Sequence, residues 1–290
     1  MDYPLGWPVL PAVQVARERA LAQGRGAVMV AVDDTVEPMQ PIAQIATEPP
    51  VLAGLRGRVI RVLPERGVVI EGRVTAIQGL FGFGAAVVGP IAHIPSDATP
   101  TAGPVKPGTI LVVPGLLTDE VLFSAIAGHA AGIFAASVQP QVIKTLTRME
   151  PMALVDGTQS PSNLPLTVVL AHGFGERPMA REIWQILGAA AGHMALLDPT
   201  TVMARNQRPE LLIPLPTHVV APVGPADISL MPGVPIWVVG SAYDGTSGRI
   251  SRLLATTQVM PSGIRVRAAL VQLDSGAAVV LPLTNLQRVG

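Results

Sequence analysis

Five of the six positions from 166 to 171 (LTVVLA) are apolar, a run too continuous for a half-exposed strand and too short for a helix, and it predicts a strand buried on both faces. Polarity returns at once after Ala171. His172, Glu176 and Arg177 stand there among Gly173 and Gly175, and Pro178 occupies a place where a helix can begin, since a first-turn residue needs no N–H. The same reading predicts strands at 109–113 (TILVV), 132–134 and 194–197, and helices at 140–149 and 179–188. A further helix is expected after Thr118, whose hydroxyl can cap it while Asp119 and Glu120 complement the first-turn dipole; Leu122, Ala125, Ile126 and His129 follow at helical spacing. Strands alternating with helices imply parallel pairing with right-handed crossovers. The loop at 172–178 then lies at the carboxyl end of a strand, where open α/β sheets place ligands.

On either side the pattern is that of short strands and turns. Residues 26–45 read as a strand, an acidic turn at Asp33-Asp34, Val36, a second turn at Pro38 and a closing strand, and 51–91 supplies more short strands. Before them, 13–23 is expected to form a short helix with Arg17 and Arg19 on its wet side. From 233 onward the pattern is again all β, with two strands joined at Asp274-Ser275-Gly276. The Pro-rich stretch 95–107 reads as a linker. The fold class expected is multi-domain α+β: a β-rich module at 1–94, a small α/β domain at 103–218 and a β-barrel at 233–290.

Composition sharpens this. Aromatic residues are 3% of the 290 while Gly and Pro number 29 each, so the cores must be built from Val, Leu, Ile and Ala between many turns. There is no cysteine, which removes disulfides, thiolate nucleophiles and Cys-ligated zinc from the possible chemistry. No apolar run reaches the ~18 residues of a membrane span, and MDYPLGWPVLP does not read as an export signal, so a soluble, cytoplasmic protein without membrane partners is expected. Formal net charge is zero, which argues against a chain-wide polyanion surface. Its distribution is uneven: 236–290 carries five arginines against Asp244 and Asp274.

Several segments resemble known modules. Asp33, Asp34, Val36, Pro38, Gln40, Ile42 and Ala43 match the turn of barrel-sandwich hybrid domains, the biotinyl/lipoyl-like fold, over roughly 26–92. Carrier domains of that kind need a hairpin lysine, and none occurs in 1–105, so the resemblance implies a degenerate unit with no covalent cofactor. The segment GHAAGIFAAS is similar to one in swivelling β/β/α domains. Val238, Val239, Gly240, Gly245, Gly248 and Ile250 resemble the KOW module, an SH3-like barrel fragment whose known members bind RNA or protein.

Candidate chemistry is sparse. Gly82-Phe83-Gly84 lacks the third glycine and the later acid of a dinucleotide loop and reads as turn glycine. The 172–178 loop lacks both the Gly-Lys-Ser/Thr ending of a phosphate-binding loop and the Gly-x-Ser-x-Gly of a hydrolase elbow. Its His172, Gly173, Gly175, Glu176 and Arg177 are the candidate ligand-binding residues, with His172 either a base or a structural closure of the strand. Arg205 and Arg208, before a strand at 210–214, are either solvated loop charges or an anion clamp with Arg177. Arg249, Arg252, Arg265 and Arg267 are the candidate nucleic-acid contacts, Arg265 and Arg267 projecting alike from one strand, with Trp237 and Tyr243 able to stack on bases. His93, His129, His193 and His218 lack ligand spacing, and no metal site or cofactor is expected. A non-enzymatic binding or scaffold protein with protein partners is the leading reading. A small-anion binder or enzyme using the 172–178 loop, and an RNA-binding accessory factor, remain as alternatives.

Overall fold

The computed structural model describes residues 9–21, 26–44, 49–94, 105–149, 164–200, 208–216, 230–239, 242–243, 245–260, 263 and 265–288. The amino-terminal part supplies β1 (Val9–Ala20), β2 (Ala27–Val28), β3 (Thr35–Val36), β4 (Pro41–Gln44), β5 (Val51–Leu52), β6 (Gly57–Leu63), β7 (Gly67–Gln78) and β8 (Phe81–Phe83). The middle adds β9 (Val87–His93), β10 (Ile110–Leu117), α1 (Asp119–Ala127), β11 (Gly132–Val138), α2 (Pro140–Thr147), β12 (Thr167–Leu170), α3 (Arg181–Ala189), β13 (Met194–Asp198) and β14 (Glu210–Pro214). The carboxyl-terminal part holds β15 (Pro235–Val238), β16 (Ser247–Leu253), β17 (Gln258–Val259), β18 (Arg265–Val266), β19 (Ala268–Leu273), β20 (Ala278–Pro282) and β21 (Leu286–Arg288). Most of the expected linker lies outside the described residues, as does Ile45. Among the described residues the chain is β-rich, and no helix is long and apolar enough to cross a membrane.

Strands β9, β10, β11 and β12 pair in parallel and form the centre. Ile110, Val112, Phe134, Ala136 and Val169 face one core, and Leu111, Val113, Ile133, Ala135, Val168 and Leu170 face the other. Both faces are dry, which is why these segments read as unbroken apolar runs. Val121, Leu122 and Ala125 of α1 and Val142 and Ile143 of α2 cover the second face, while Ile183 and Leu187 of α3 pack on the first. Helix α1 starts as expected, Thr118 Oγ1 accepting from the Val121 N–H at 3.4 Å. Helix α3 starts later than expected: Pro178 lies outside it, Ala180 is its N-cap residue, and Met179 instead gives its N–H to Pro114 O at 2.7 Å.

Pairing does not stay parallel. Strand β13 runs antiparallel to both β9 and β14, and β14 runs antiparallel to β7, so one eleven-stranded sheet takes in strands from both the amino-terminal and middle parts. The end of β7 then closes that sheet on itself. Gln78 pairs with Glu210 of β14, the Leu80 N–H donates to Leu170 O at 2.7 Å, and β8 continues antiparallel along β12. The crossing demands close backbone approach. A Cβ on Gly82 would lie 2.5 Å from Pro199 O, so this glycine sits within a strand for lack of room rather than in a turn.

The helix expected at 13–23 is instead strand β1, paired with β7 from Val9 to Ala20 through an irregularity between Leu10 and Val13. Period-two burial then turns Val15, Arg17 and Arg19 to the same face, inward rather than to water. Both arginines find partners there. Arg17 forms a bidentate ion pair with Glu210, Nη2 to Oε2 being 2.9 Å, and Arg19 Nε donates to Leu52 O at 3.2 Å. Burial pushes the Arg19 guanidinium below its ordinary pKa, and the Asp198 carboxylate acts in the opposite sense. An unpaired long edge on β7 outweighs the local helical preference of this Ala-rich segment.

The carboxyl-terminal strands form a five-stranded antiparallel sheet in the order β20-β19-β16-β15-β21, with β17 and β18 as a separate hairpin. Ile236 and Val238 point into its own core beside Ile250, Val271 and Leu281. Trp237, between them on the strand, points the other way and joins the core of the central sheet.

Candidate functional site

The 172–178 loop is tied to the end of β11 rather than held open. The Ala171 and His172 N–H groups donate to Ala135 O and Ala136 O, each at 2.8 Å, which prolongs the strand pairing. Val138 donates to Gly173 O at 3.1 Å and accepts from the Gly175 N–H at 3.0 Å. Ser137 Oγ donates to Arg177 O at 2.9 Å and accepts the Arg177 N–H at 3.1 Å. Gly173 has φ +84°, a conformation that side chains rarely adopt, and a Cβ there would also push on the end of the Leu80 side chain, whose Cδ2 stands 2.9 Å away. The Gly175 amide is thus committed to protein and not to a ligand.

His172 is buried, with 8% of its surface exposed. Its Nε2 accepts the Ala180 N–H at 3.2 Å, which requires a lone pair on that nitrogen and ties the ring to the start of α3. The Trp237 ring stacks over it, centroids 4.3 Å apart and planes 13° from parallel. The imidazole therefore closes the strand, caps a helix and receives the carboxyl-terminal sheet. A general base needs an accessible lone pair, and this Nε2 pair is already engaged.

Beside this stack lies a cleft of about 50 Å³, lined among others by Gln78, His172, Arg177, Arg208, Trp237 and Gln287. Metabolite pockets are roughly 300–1,000 Å³, so this one accepts a few waters or a small ion. Arg177 and Arg208, 31 positions apart in the chain, converge here, and among the described residues no carboxylate lines the cleft. The Arg177 stem packs toward Gly245, with Cγ and Cδ 3.9 Å from where a Cβ would stand on that glycine. Burial lowers the Arg208 pKa from its ordinary value. Arg208 was legible as one of two arginines before a strand; Gln78 and Gln287 carried no sequence signal, because ordinary strand residues become site residues only when their strands meet.

The remaining candidates lie elsewhere. Glu176 and Gly175 are exposed and do not line the cleft. Arg249 and Arg252 are exposed on β16, Arg249 Nη1 donating to Gly233 O at 3.1 Å. Arg265 belongs to β18 and Arg267 to the link before β19, so the two do not share one strand. Trp237 is 6% exposed under His172 and presents no face to a base. His93 Nε2 lies 2.9 Å from Leu187 O, and its ring meets Trp184 edge-on at 5.1 Å. Among the described residues no three His, Asp or Glu side chains gather as metal ligands; His218 lies outside them. Comparison with known protein families, with curated proteins and with solved structures gives no match to this chain.

Proposed function

We propose that this chain is a non-enzymatic binding or scaffold protein acting on protein partners. One observation carries the reading: the best catalytic candidate, His172, has its Nε2 lone pair on the Ala180 amide and a ring face under Trp237. The cleft beside it is also far smaller than a metabolite pocket. In the finer reading, the carboxyl-terminal unit is an SH3-like barrel of KOW type. The order β20-β19-β16-β15-β21 and the 3-10 turn at Leu283–Asn285 before the last strand support it. The amino-terminal unit is read as a degenerate barrel-sandwich module, its turn at Asp33 with φ +75° leading into buried Val36.

Two measurements test the reading. Wild-type protein assayed against phosphoesters, carboxylic esters and amides is expected to show no turnover, and His172→Gln is expected to lower the melting temperature. Turnover that His172→Gln cuts by roughly 10²–10⁴-fold without loss of stability would identify a general base and overturn the proposal. Protein isolated at native expression level is also expected to run in light scattering as a complex of fixed stoichiometry with another chain. Migration at its own mass alone would refute the scaffold role.

A further inference from the structure

Among the described residues, none neutralises the Arg208 guanidinium in the cleft beside His172. Arg208 is half-buried and, among the described residues, has neither an ion pair nor a hydrogen bond. The nearest acid in sequence, Glu210, is fully engaged by Arg17 through both oxygens. Asp198, its register partner on β13, accepts the Thr200 N–H at 2.9 Å. Gln78, on the neighbouring strand β7 and 6% exposed, lines the same cleft, and its side-chain amide makes no hydrogen bond among the described residues. Gln287 adds a second amide at the rim, and Arg177 a second guanidinium. Two guanidinium and two amide side chains thus line one small, partly buried cleft, where a bound anion meets less competition from water than on an open surface.

We propose that this cleft is a binding site for a small tetrahedral oxyanion, phosphate or sulfate, gripped by Arg208 and Gln78 with Arg177 and Gln287 around it. The planar fork of Arg208 matches two oxygens of such an ion, and the Gln78 amide supplies a neutral donor for a third. The volume of about 50 Å³ admits one such ion and excludes a nucleotide. The site shares Arg177 with the one expected at 172–178, but its donors are side chains, the others coming from β7, β21 and the approach to β14, and not the glycine amides of the loop. It goes beyond the binding-protein reading and stands without it.

The test is calorimetric titration of the full chain at low ionic strength with inorganic phosphate and, separately, sulfate, with chloride as control. Saturable binding of one oxyanion per chain is expected, weakened at least tenfold by Arg208→Gln and several-fold by Gln78→Leu. Thermal melting supplies a second readout. Without oxyanion, Arg208→Gln is expected to melt at or above the wild-type temperature, because an uncompensated charge has been removed; with phosphate, only wild type should gain stability. Absence of saturable binding to wild type, or undiminished binding by Arg208→Gln, would overturn the site. If Arg208→Gln does not fold, Gln287→Ala and Gln78→Leu carry the same comparison, and undiminished affinity in both would overturn it. Hydrolysis of phosphate esters by wild type would end the non-enzymatic reading while leaving oxyanion binding to be judged by the titration alone.

Discussion

Arg17 and Glu210 are separated by 193 residues and meet in a part-buried bidentate pair, so each depends on the other for its charge. Removing one partner strands the other away from water, whereas replacing both with apolar groups removes the penalty altogether. Glu210→Gln is expected to cost about 3–5 kcal/mol in urea unfolding, and the double change Arg17→Met with Glu210→Leu to recover most of it. A double variant as unstable as the single one would show that the pair contributes more than mutual neutralisation. At the same scale, His172 illustrates how burial reassigns chemistry. The imidazole that the sequence leaves as either a base or a closure of the strand spends its Nε2 acceptor on the Ala180 amide at the start of α3.

Between elements, the contact that matters most is β15 against the central sheet. Ile236 and Val238 stabilise the carboxyl-terminal unit from within, and Trp237, on the opposite face of the same strand, anchors it beside α3. Trp237→Ala is expected to cost about 3–5 kcal/mol and to speed amide exchange in both β15 and 172–177, since the stacked ring covers each. Fast exchange confined to β15 would mean that the stack does not hold the loop. Helix α1 makes a smaller, local case. Thr118→Ala should cost about 1 kcal/mol, because the Val121 N–H loses its acceptor while α1 keeps Leu122 and Ala125 in the core.

Across the whole molecule the continuous hydrogen bonding from β6 through β7 to β14, and on to β9 and β12, makes the amino-terminal and middle strands depend on one another. Residues 1–94 expressed alone would lose β14 from β7, and both β13 and β10 from β9; we expect no cooperative thermal transition from that fragment. A sharp transition would show that the first strands hold their own core. Much of the middle was legible beforehand, because strands buried on both faces are apolar throughout and because Thr118 followed by two acids is a local signal for a helix start. The loop after Leu170 was legible for the same reason, as a loss of apolar character. The direction of β13 was not, nor the strand at Val9–Ala20, nor the meeting of Gln78, Arg208 and Trp237. Apolar periodicity and capping are properties of neighbouring residues and are written in the chain. Which edge a strand pairs with, and which distant side chains then share a cleft, depends on hydrogen-bond partners supplied by segments far away, and only the closed sheet decided it.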